Sequence, residues 1–296
     1  MPELPDIECY LACLTPRIAG RTLGRVRLLS PFLLRSVAPA PEEITPRRVS
    51  ELRRVGKRIC IGLEGDLWLV IHLMIAGRLR WLEPGARPPA RITLALLEFD
   101  SGVLAITEAG SQRRASLHIA AGEAQLAGHD PGGQEPLEAP AEAFAAALRR
   151  ERHTLKRSLT DPRIFAGIGN AYADEILLAA RLSPVAMSTS LTDEEIARLR
   201  DATVATLTYW RNELILRFAH RFPGAGDITA FRAEFGAHGK FGQPCPQCAT
   251  AIQRIVHADN ETNYCPRCQT GGRVLADRSL SRLLKGDWPR SVEELG

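Results

Sequence analysis

Gly167-Ile168-Gly169-Asn170-Ala171-Tyr172-Ala173-Asp174-Glu175 is the segment from which the architecture of this chain is most readily inferred. Its glycines and asparagine predict a tight turn that runs into a helix over 171–180, which Ser183-Pro184 ends. Thr192-x-x-Glu195 then forms a capping box and begins a second helix. The apolar face of that helix contains Ile196, Leu199, Thr203, Leu207 and Trp210. Two helices joined in this way are typical of a helix-turn-helix arrangement, although a plain helical bundle explains the periodicity equally well.

Residues 21–119 have a different pattern, in which short apolar segments are separated by Gly, Pro and charged residues. The apolar segments are 59–63, 67–73, 92–99 and 103–106. Runs of about four to eight residues with frequent turn signals predict an antiparallel β-sandwich or barrel. Residues 120–140, rich in Gly, Pro, Ala and Glu, predict a loop or linker. The fold class is therefore α+β.

Four cysteines towards the C-terminus form two pairs, with sixteen residues between the pairs. They are Cys245, Cys248, Cys265 and Cys268. This spacing indicates four thiolates around one tetrahedral Zn²⁺ per chain, which leaves no open position and makes the metal structural. Residues 251–258 and 261–264, between the pairs, predict a β-hairpin that needs the metal to be stable.

The N-terminus, Met1-Pro2-Glu3-Leu4-Pro5-Asp6, carries a candidate nucleophile. A small residue at position two lets the initiator Met be removed, which exposes the secondary amine of Pro2. Because an α-amino group has a pKa of about 7.7–8.0, a useful fraction is neutral at neutral pH. Such an amine attacks a carbonyl-level carbon to give an iminium, which is an electron sink. The same segment also predicts a helix start, with Pro5 in the first turn. An apolar stripe follows at Ile7, Leu11, Leu14 and Ile18.

Length and charge limit the classes of function. The chain of 296 residues is long enough for two domains, and its net charge of +4 permits a polyanionic partner without requiring one. The longest apolar run, 67–76, is too short to span a bilayer. The N-terminus lacks the basic and apolar regions of a signal peptide. A cytoplasmic protein with no membrane partner is expected.

Four motifs resemble, in the same order, those of the formamidopyrimidine-DNA glycosylase and endonuclease VIII family of base-excision repair enzymes. They are Pro2-Glu3-Leu4-Pro5, Gly56-Lys57-Arg58, the 167–175 segment and the four cysteines. The resemblance implies an N-terminal β-sandwich domain, then a C-terminal helix–two-turns–helix domain with a zinc-finger β-hairpin. DNA is expected in the cleft between the domains.

The expected boundaries follow the same resemblance. They are 1–120 for the β-sandwich, 121–140 for a linker, 141–236 for the helical domain, 237–270 for the zinc finger and 271–296 for a C-terminal tail. A last amphipathic helix is predicted from Leu275, Leu280, Leu283 and Leu284.

The family's chemistry, transferred to the matching positions, concerns three residues. Pro2 is expected to attack C1′ of a damaged nucleotide and expel the base, and Glu3 to act as the general acid/base. Lys57 is expected to contact the lesion and phosphates and to assist proton movement. The iminium acidifies C2′, so strand cleavage by β-elimination follows. The target nucleotide must be flipped out of the stack, which costs least at a damaged pair.

The resemblance also implies contacts with DNA, from His72, Met74, Ile75, Arg113, Lys156, Asn170 and Asn260. Ile75 or Met74 is expected to fill the gap left by the flipped nucleotide, with a core strand as the alternative. Arg113, or Gln112 beside it, is expected to face the orphaned base. Asn170 matches a phosphate-binding asparagine, whereas Lys156 is either a phosphate contact or a solvated helix charge. Asn260 stands at the finger tip, where the family commonly has arginine, which weakens the expectation of a second, δ-elimination step.

Three functions therefore compete. The first is a monomeric, bifunctional DNA glycosylase and abasic-site lyase that removes oxidised bases from damaged double-stranded DNA. Leu4, in place of a glycine of the endonuclease VIII branch, favours oxidised purines. The alternatives are an endonuclease VIII-like enzyme for oxidised pyrimidines and a non-catalytic protein that binds damaged DNA.

Overall fold

The computed structural model describes residues 1–83, 85–110, 112–257, 260–277 and 289–294. The chain divides into two compact units. The first contains Met1–Pro131 and Trp210–Thr229, and the second contains Gly132–Tyr209 and Ala230–Gly296. One helix therefore contributes residues to both units, and the domain boundaries drawn from the sequence stay a prediction.

The first unit is built on a β-sandwich. Its strands are β1 (Thr22–Leu28), β2 (Arg47–Val55), β3 (Arg58–Leu63), β4 (Leu67–His72), β5 (Gly77–Leu82), β6 (Thr93–Phe99), β7 (Gly102–Glu108) and β8 (Ser116–Ala121). All neighbours are antiparallel, in the order β5-β7-β6-β1-β2-β3-β4-β8. The β1–β2 pairing has only two residue pairs, Thr22–Arg48 and Leu23–Arg47. Two four-stranded halves are joined there, which confirms the predicted sandwich.

One apolar cluster lies between these halves. It takes alternate residues of each strand, such as Ile59 and Ile61 of β3 and Leu104 and Ile106 of β7. Helix α1 (Leu4–Ile18) packs on the same cluster. Its predicted stripe is confirmed, since Ile7, Leu14 and Ile18 are fully buried and Leu11 is 8% exposed. The core therefore fixes the helix at whose start Pro2 and Glu3 lie.

The predicted loop over 120–140 is wrong in its first part. Residues Gly122–Ala127 form a helix, α2. Leu126 is 2% exposed and packs against Trp68, Val70 and Ala120 on the outer face of β4 and β8. That face is apolar and needs a cover, so burial of one leucine outweighs the loop-like composition.

The second unit is mostly helical. Its elements are α3 (Ala141–Arg149), α4 (Leu155–Thr160), α5 (Asn170–Ala180), α6 (Asp193–Arg217, continuing into the first unit), β9 (Gln253–His257), β10 (Asn260–Tyr264) and α7 (Pro266–Thr270). The predicted capping box is confirmed: the Thr192 backbone N–H donates to Glu195 Oε2 over 3.0 Å, and the Glu195 backbone N–H to Thr192 Oγ1 over 3.2 Å. Strands β9 and β10 pair as the predicted hairpin. No helix in the described part of the chain could cross a membrane.

The predicted C-terminal helix lies mainly outside the described residues, which include Leu275 but not Leu280, Leu283 or Leu284. Leu275 is 5% exposed, and its backbone N–H donates to the hydroxyl of Tyr264 over 2.7 Å. Residues after the second cysteine pair therefore pack on the zinc-finger hairpin.

Candidate functional site

The N-terminal segment is held in place by the start of α1. The backbone N–H of Glu3 donates to Asp6 Oδ2 over 2.9 Å, and the two carboxylates are 3% and 2% exposed. Negative charge at a helix N-terminus is favourable, because the backbone N–H groups there are unpaired and carry partial positive charge. Asp6 thus accepts a backbone N–H at the start of the helix that presents Pro2.

The electrostatic surroundings of the terminal amine favour its neutral form. Burial lowers the pKa of the Met1 amine and is the largest cause. The negative charges of Glu3 and Asp6 oppose that shift, whereas the positive charges of Arg78 and Lys57 add to it. The nitrogen of Pro2 lies one residue further along the chain, and Pro2 is directly followed by Glu3.

Lys57 lies in the two-residue turn between β2 and β3, where Val55 pairs with Arg58. Gly56, the first turn residue, has φ +57°, as tight β-hairpins of the type II′ class require. Burial lowers the pKa of Lys57, and the charge of Glu3 opposes this. Lys57, Glu3 and the terminal amine therefore act on one another, so the structure brings the predicted catalytic residues together.

His72 is the last residue of β4 and pairs with Arg58 of β3. Burial is the main cause that lowers its pKa to about 4, and the positive charges of Arg58 and Lys57 add to the effect. Its Nε2 is buried without a hydrogen-bond partner among the described residues. His72 is thus a neutral imidazole at neutral pH, beside the turn that carries Lys57.

Met74 and Ile75 lie in a tight turn between β4 and β5, closed by a hydrogen bond from the Gly77 N–H to the Leu73 carbonyl over 2.9 Å. Met74 has φ +51°, and Ile75 is 57% exposed. The alternative of a core strand is wrong at these two positions, because β4 ends at His72 and both residues lie in the turn that follows. An exposed isoleucine on a closed turn is instead available to a ligand.

Arg113 lies on the surface of the loop between β7 and β8, where one Nη donates to the Arg91 carbonyl over 3.0 Å. The loop is anchored by Glu108, 2% exposed, whose carboxylate accepts the N–H groups of Arg114 and Ala115. Glu108 is a supporting residue of this loop that the sequence motifs did not identify. The feature of the sequence that could have indicated it is an acidic residue at the end of an otherwise apolar strand.

In the second unit Lys156 is part of a buried network. Its Nζ donates to Asp174 Oδ1 and to the Asn170 carbonyl, both over 2.5 Å, and its side chain is 12% exposed. The alternative of a solvated helix charge is therefore wrong. Asp174 is fully buried, and its other oxygen lies 2.7 Å from Nδ1 of His238. No signal in the sequence pairs Asp174 with His238, because the two residues are 64 positions apart.

Asn170 is the first residue of α5, and its side-chain amide donates to the Glu261 carbonyl in β10 over 3.0 Å. Glu175, one turn further on, accepts the N–H groups of Gly236, Ala237 and His238 over 2.8 Å each. Asn260 is exposed at the start of β10. The beginning of α5 is thus joined both to the hairpin and to the segment before the first cysteine pair.

The four cysteines form one cluster, with their sulfur atoms within 4.8 Å of one another. Tetrahedral zinc with Zn–S bonds of about 2.3 Å needs sulfurs about 3.8 Å apart, so the cluster is of the right size. The backbone N–H groups of Gln247 and Cys268 point to the sulfurs of Cys245 and Cys265, each over 3.4 Å. These bonds stabilise thiolates. The residues fit a structural Zn²⁺ that all four cysteines hold.

Comparison with known proteins agrees with this arrangement. The chain matches, in order, family models for the formamidopyrimidine-DNA glycosylase N-terminal domain over residues 1–114, the formamidopyrimidine-DNA glycosylase H2TH domain over 132–209, and a zinc finger found in FPG and IleRS over 242–271. It is 36% identical over 279 residues to the formamidopyrimidine-DNA glycosylase of Heliobacterium modesticaldum, covering 91% of this chain and 100% of the relative. The enzyme of that name from Thermus thermophilus is 35% identical over 288 residues, covering 92% and 100%.

Two solved structures are similar throughout. The crystal structure of the MutM (FPG) protein from Thermus thermophilus matches with a TM-score of 0.74 and 31% identity, over 90% of this chain and 98% of that one. A Lactococcus lactis FPG mutant in complex with DNA that contains Fapy-dG matches with a TM-score of 0.80 over 91% and 100%. At 24% identity, the second shows a shared fold only.

The three matched domains and the amine–carboxylate–lysine group define the chain as a zinc-finger DNA glycosylase. Within that class, it belongs to the formamidopyrimidine-DNA glycosylase family.

Proposed function

We propose that this protein removes oxidised bases, preferentially formamidopyrimidines and 8-oxoguanine, from double-stranded DNA and then cleaves the abasic site as a monomer in the cytoplasm. The observation that carries the proposal is that the terminal amine and Glu3, at the start of α1, lie close enough to Lys57, in the β2–β3 turn, for their charges to interact. Relatives that carry the name formamidopyrimidine-DNA glycosylase over 91% of this chain support the preference for purine lesions.

The first chemical step is substitution at the deoxyribose. The neutral amine of Pro2 forms a bond to C1′ as the bond from C1′ to the base breaks, and the base leaves with that electron pair and takes up a proton. The nitrogen then loses its proton and forms a double bond to C1′ as the C1′–O4′ bond breaks. O4′ keeps that electron pair and takes up a proton, and the product is an iminium between Pro2 and C1′. Glu3, next to the amine, is placed to move protons in these steps, and such groups typically contribute about 10²–10⁴-fold.

The second step is strand cleavage. The iminium withdraws electrons and acidifies C2′, so a base removes one proton there. The C3′–O bond then breaks, and the 3′ phosphate leaves with its electron pair, which is a β-elimination. Because Asn260 supplies no cation at the finger tip, the β-elimination product is expected to dominate.

DNA binding is shared between the two units. Ile75, exposed on its turn, is suited to fill the gap that the flipped nucleotide leaves, and Met74 precedes it in the same turn. His72, Arg113, Asn170 and Asn260 are proposed to contact the DNA directly. Lys156, already bonded to Asp174, is proposed to act mainly by holding Asn170 in place and by contributing positive charge.

Reduction with cyanoborohydride tests the covalent step. Wild-type protein mixed with a duplex that holds one abasic site is expected to give a protein–DNA adduct, mapped by mass spectrometry to Pro2. Pro2→Gly replaces the secondary terminal amine by a primary amine, and an N-acetylated form has no basic terminal amine. If the acetylated protein is trapped and cuts as well as wild type, the proposal is refuted. DNA binding without an adduct in wild type would instead identify a non-catalytic binder.

A panel of duplexes, each with one defined lesion, tests the proposed substrate. Base release is expected to be faster from formamidopyrimidine and 8-oxoguanine duplexes than from duplexes with an oxidised pyrimidine. The reverse order would assign the chain to endonuclease VIII-like activity. The same lesions in single strands test the requirement for duplex DNA.

A further inference from the structure

Arg78 closes the turn that carries Met74 and Ile75. Its Nη1 donates to the carbonyl of Ile75 over 3.1 Å and to that of Gly77 over 2.7 Å. The turn is constrained, because Met74 has φ +51° and a Cβ on Gly77 would lie 2.2 Å from the Leu73 carbonyl oxygen. A backbone of this kind persists only when its surroundings hold it. One guanidinium group supplies two of those contacts.

The same guanidinium is close enough to the N-terminus for its charge to influence the Met1 amine, one residue before Pro2. Burial is the main cause that lowers the pKa of the Met1 amine, and the positive charges of Arg78 and of Lys57, from the β2–β3 turn, lower it further. The opposing charges come from Glu3 and Asp6, at the start of α1. Arg78 Nε is also buried without an acceptor among the described residues, so that one donor stays available. Arg78 therefore contacts the turn and also influences the amine.

We propose that Arg78 is a positioning residue for DNA repair by this protein: it fixes the turn of Met74 and Ile75 beside the terminal amine, so that insertion of the turn into DNA and attack on the sugar occur at one place. The inference rests on the proposed function, since it assigns a role to that site. A planar guanidinium can hold two carbonyls in a fixed orientation while it carries a permanent charge, and a lysine supplies only the charge.

Three variants separate these contributions. Arg78→Lys keeps the charge and loses the planar group, whereas Arg78→Met loses both. Arg80→Met is the matched control, because Arg80 is the next residue on the same side of β5 and its Nε is likewise buried without a partner among the described residues. Thermal unfolding of each zinc-loaded protein establishes that the fold is retained.

Two measurements are made on each variant. The pH dependence of cyanoborohydride trapping on an abasic-site duplex reports the amine. Fluorescence of 2-aminopurine beside a lesion in duplex DNA reports insertion of the turn. Arg78→Met is expected to move the trapping midpoint upward by about 0.5–1 pH unit, which slows trapping about three- to tenfold below the midpoint. Both Arg78 variants are expected to lose at least about two-thirds of the fluorescence change.

The outcomes are distinct. Arg78→Lys with a normal midpoint and reduced fluorescence supports the inference, and this variant alone decides the role in the turn if Arg78→Met does not fold. Wild-type behaviour of both Arg78 variants, or an equal effect of Arg80→Met, overturns the inference. Absence of an adduct from wild type at every pH refutes the proposed function instead. The fluorescence change then still decides whether Arg78 holds the turn.

Discussion

The carboxylate of Glu3 lies both at the start of a helix and close to the groups proposed to react. It is 3% exposed at the start of α1, yet its charge acts on the terminal amine and on Lys57. A residue that only began the helix could be replaced by asparagine or serine at little cost. We therefore propose that Glu3 transfers protons in addition to beginning the helix.

Glu3→Gln tests this explanation, because it keeps the size and removes the titratable group. Base release in single turnovers is expected to fall by about 10²–10⁴-fold, the usual contribution of a positioned acid or base. Affinity for abasic-site DNA should change by less than about threefold. Glu8→Gln on the same helix, which removes a 2.8 Å ion pair with Arg54, is the control. Equal base release by Glu3→Gln and wild type would contradict the role.

His72 gives the first unit a predictable response to acid. Its pKa in the folded protein is about 4, against an ordinary value of 6.5, so the unfolded chain binds a proton first as the pH falls. The contribution of neutral His72 to the free energy of unfolding is therefore fully present above about pH 6.5 and is lost as the pH falls towards 4. The pKa values of His118 and His129 are also lowered, mainly by burial, and act in the same direction.

His72→Gln is expected to remove part of this acid sensitivity. Urea unfolding at pH 7 and at pH 4.5 measures how much stability is lost between these two pH values. This loss should be smaller in His72→Gln than in wild type by about 1–3 kcal/mol. His220→Gln, at an exposed position of the same unit, provides the control. The same loss in His72→Gln and wild type would show that His72 does not contribute to the acid sensitivity.

At the scale of elements, features encoded by neighbouring residues could be predicted from the sequence. The stripe of α1 repeats every three or four residues, and the capping box of α6 depends on two residues three apart. Contacts between distant segments could not be predicted in this way. The segment around Leu126 has a loop-like composition but forms a helix, because Leu126 covers the outer face of β4. The Asp174–His238 bond joins α5 to a loop far along the chain.

The ion pair of Lys156 and Asp174 is the main polar contact between α4 and α5, and its removal is expected to be costly. Lys156→Met leaves a fully buried carboxylate with only His238 as a side-chain partner among the described residues. Breaking one side of a buried pair typically costs about 3–5 kcal/mol. Urea unfolding should therefore show a large loss for Lys156→Met and little change for Arg157→Met, its exposed neighbour on α4. Restoration of stability in Lys156→Met/Asp174→Asn would assign the loss to the unpaired charge.

Across the whole molecule, the order of motifs along the sequence was sufficient to predict the fold class, the zinc site and the grouping of Glu3 with Lys57. Those residues belong to short motifs that stand out without a structure. Arg78, Glu108 and His238 belong to no such motif, and each acts through contacts with backbone or buried charge in another segment. The supporting residues of a site are therefore harder to predict than the residues that react.

The division into two units predicts that zinc and the nucleophile can be separated experimentally. The cysteine cluster packs with Leu178 of α5 and Ile252 of the finger, and Asn170 at the start of α5 bonds to β10. Loss of zinc should therefore disorder the hairpin and release Asn170, because so small a hairpin depends on its metal. The amine, Glu3 and Lys57 belong to the first unit and should stay in place.

Chelation of the zinc-loaded protein, or Cys248→Ser, is thus expected to weaken DNA binding at least about tenfold, or by about 1.4 kcal/mol. Trapping on abasic DNA should recover when protein and DNA are raised above the new dissociation constant. Cys60→Ala, which removes a buried thiol of the first unit, is the control for loss of a sulfur elsewhere. Trapping that stays absent at saturation would mean that the finger also acts on the chemistry. Unchanged affinity would mean that the finger does not support binding, although Asn170 is bonded to its second strand.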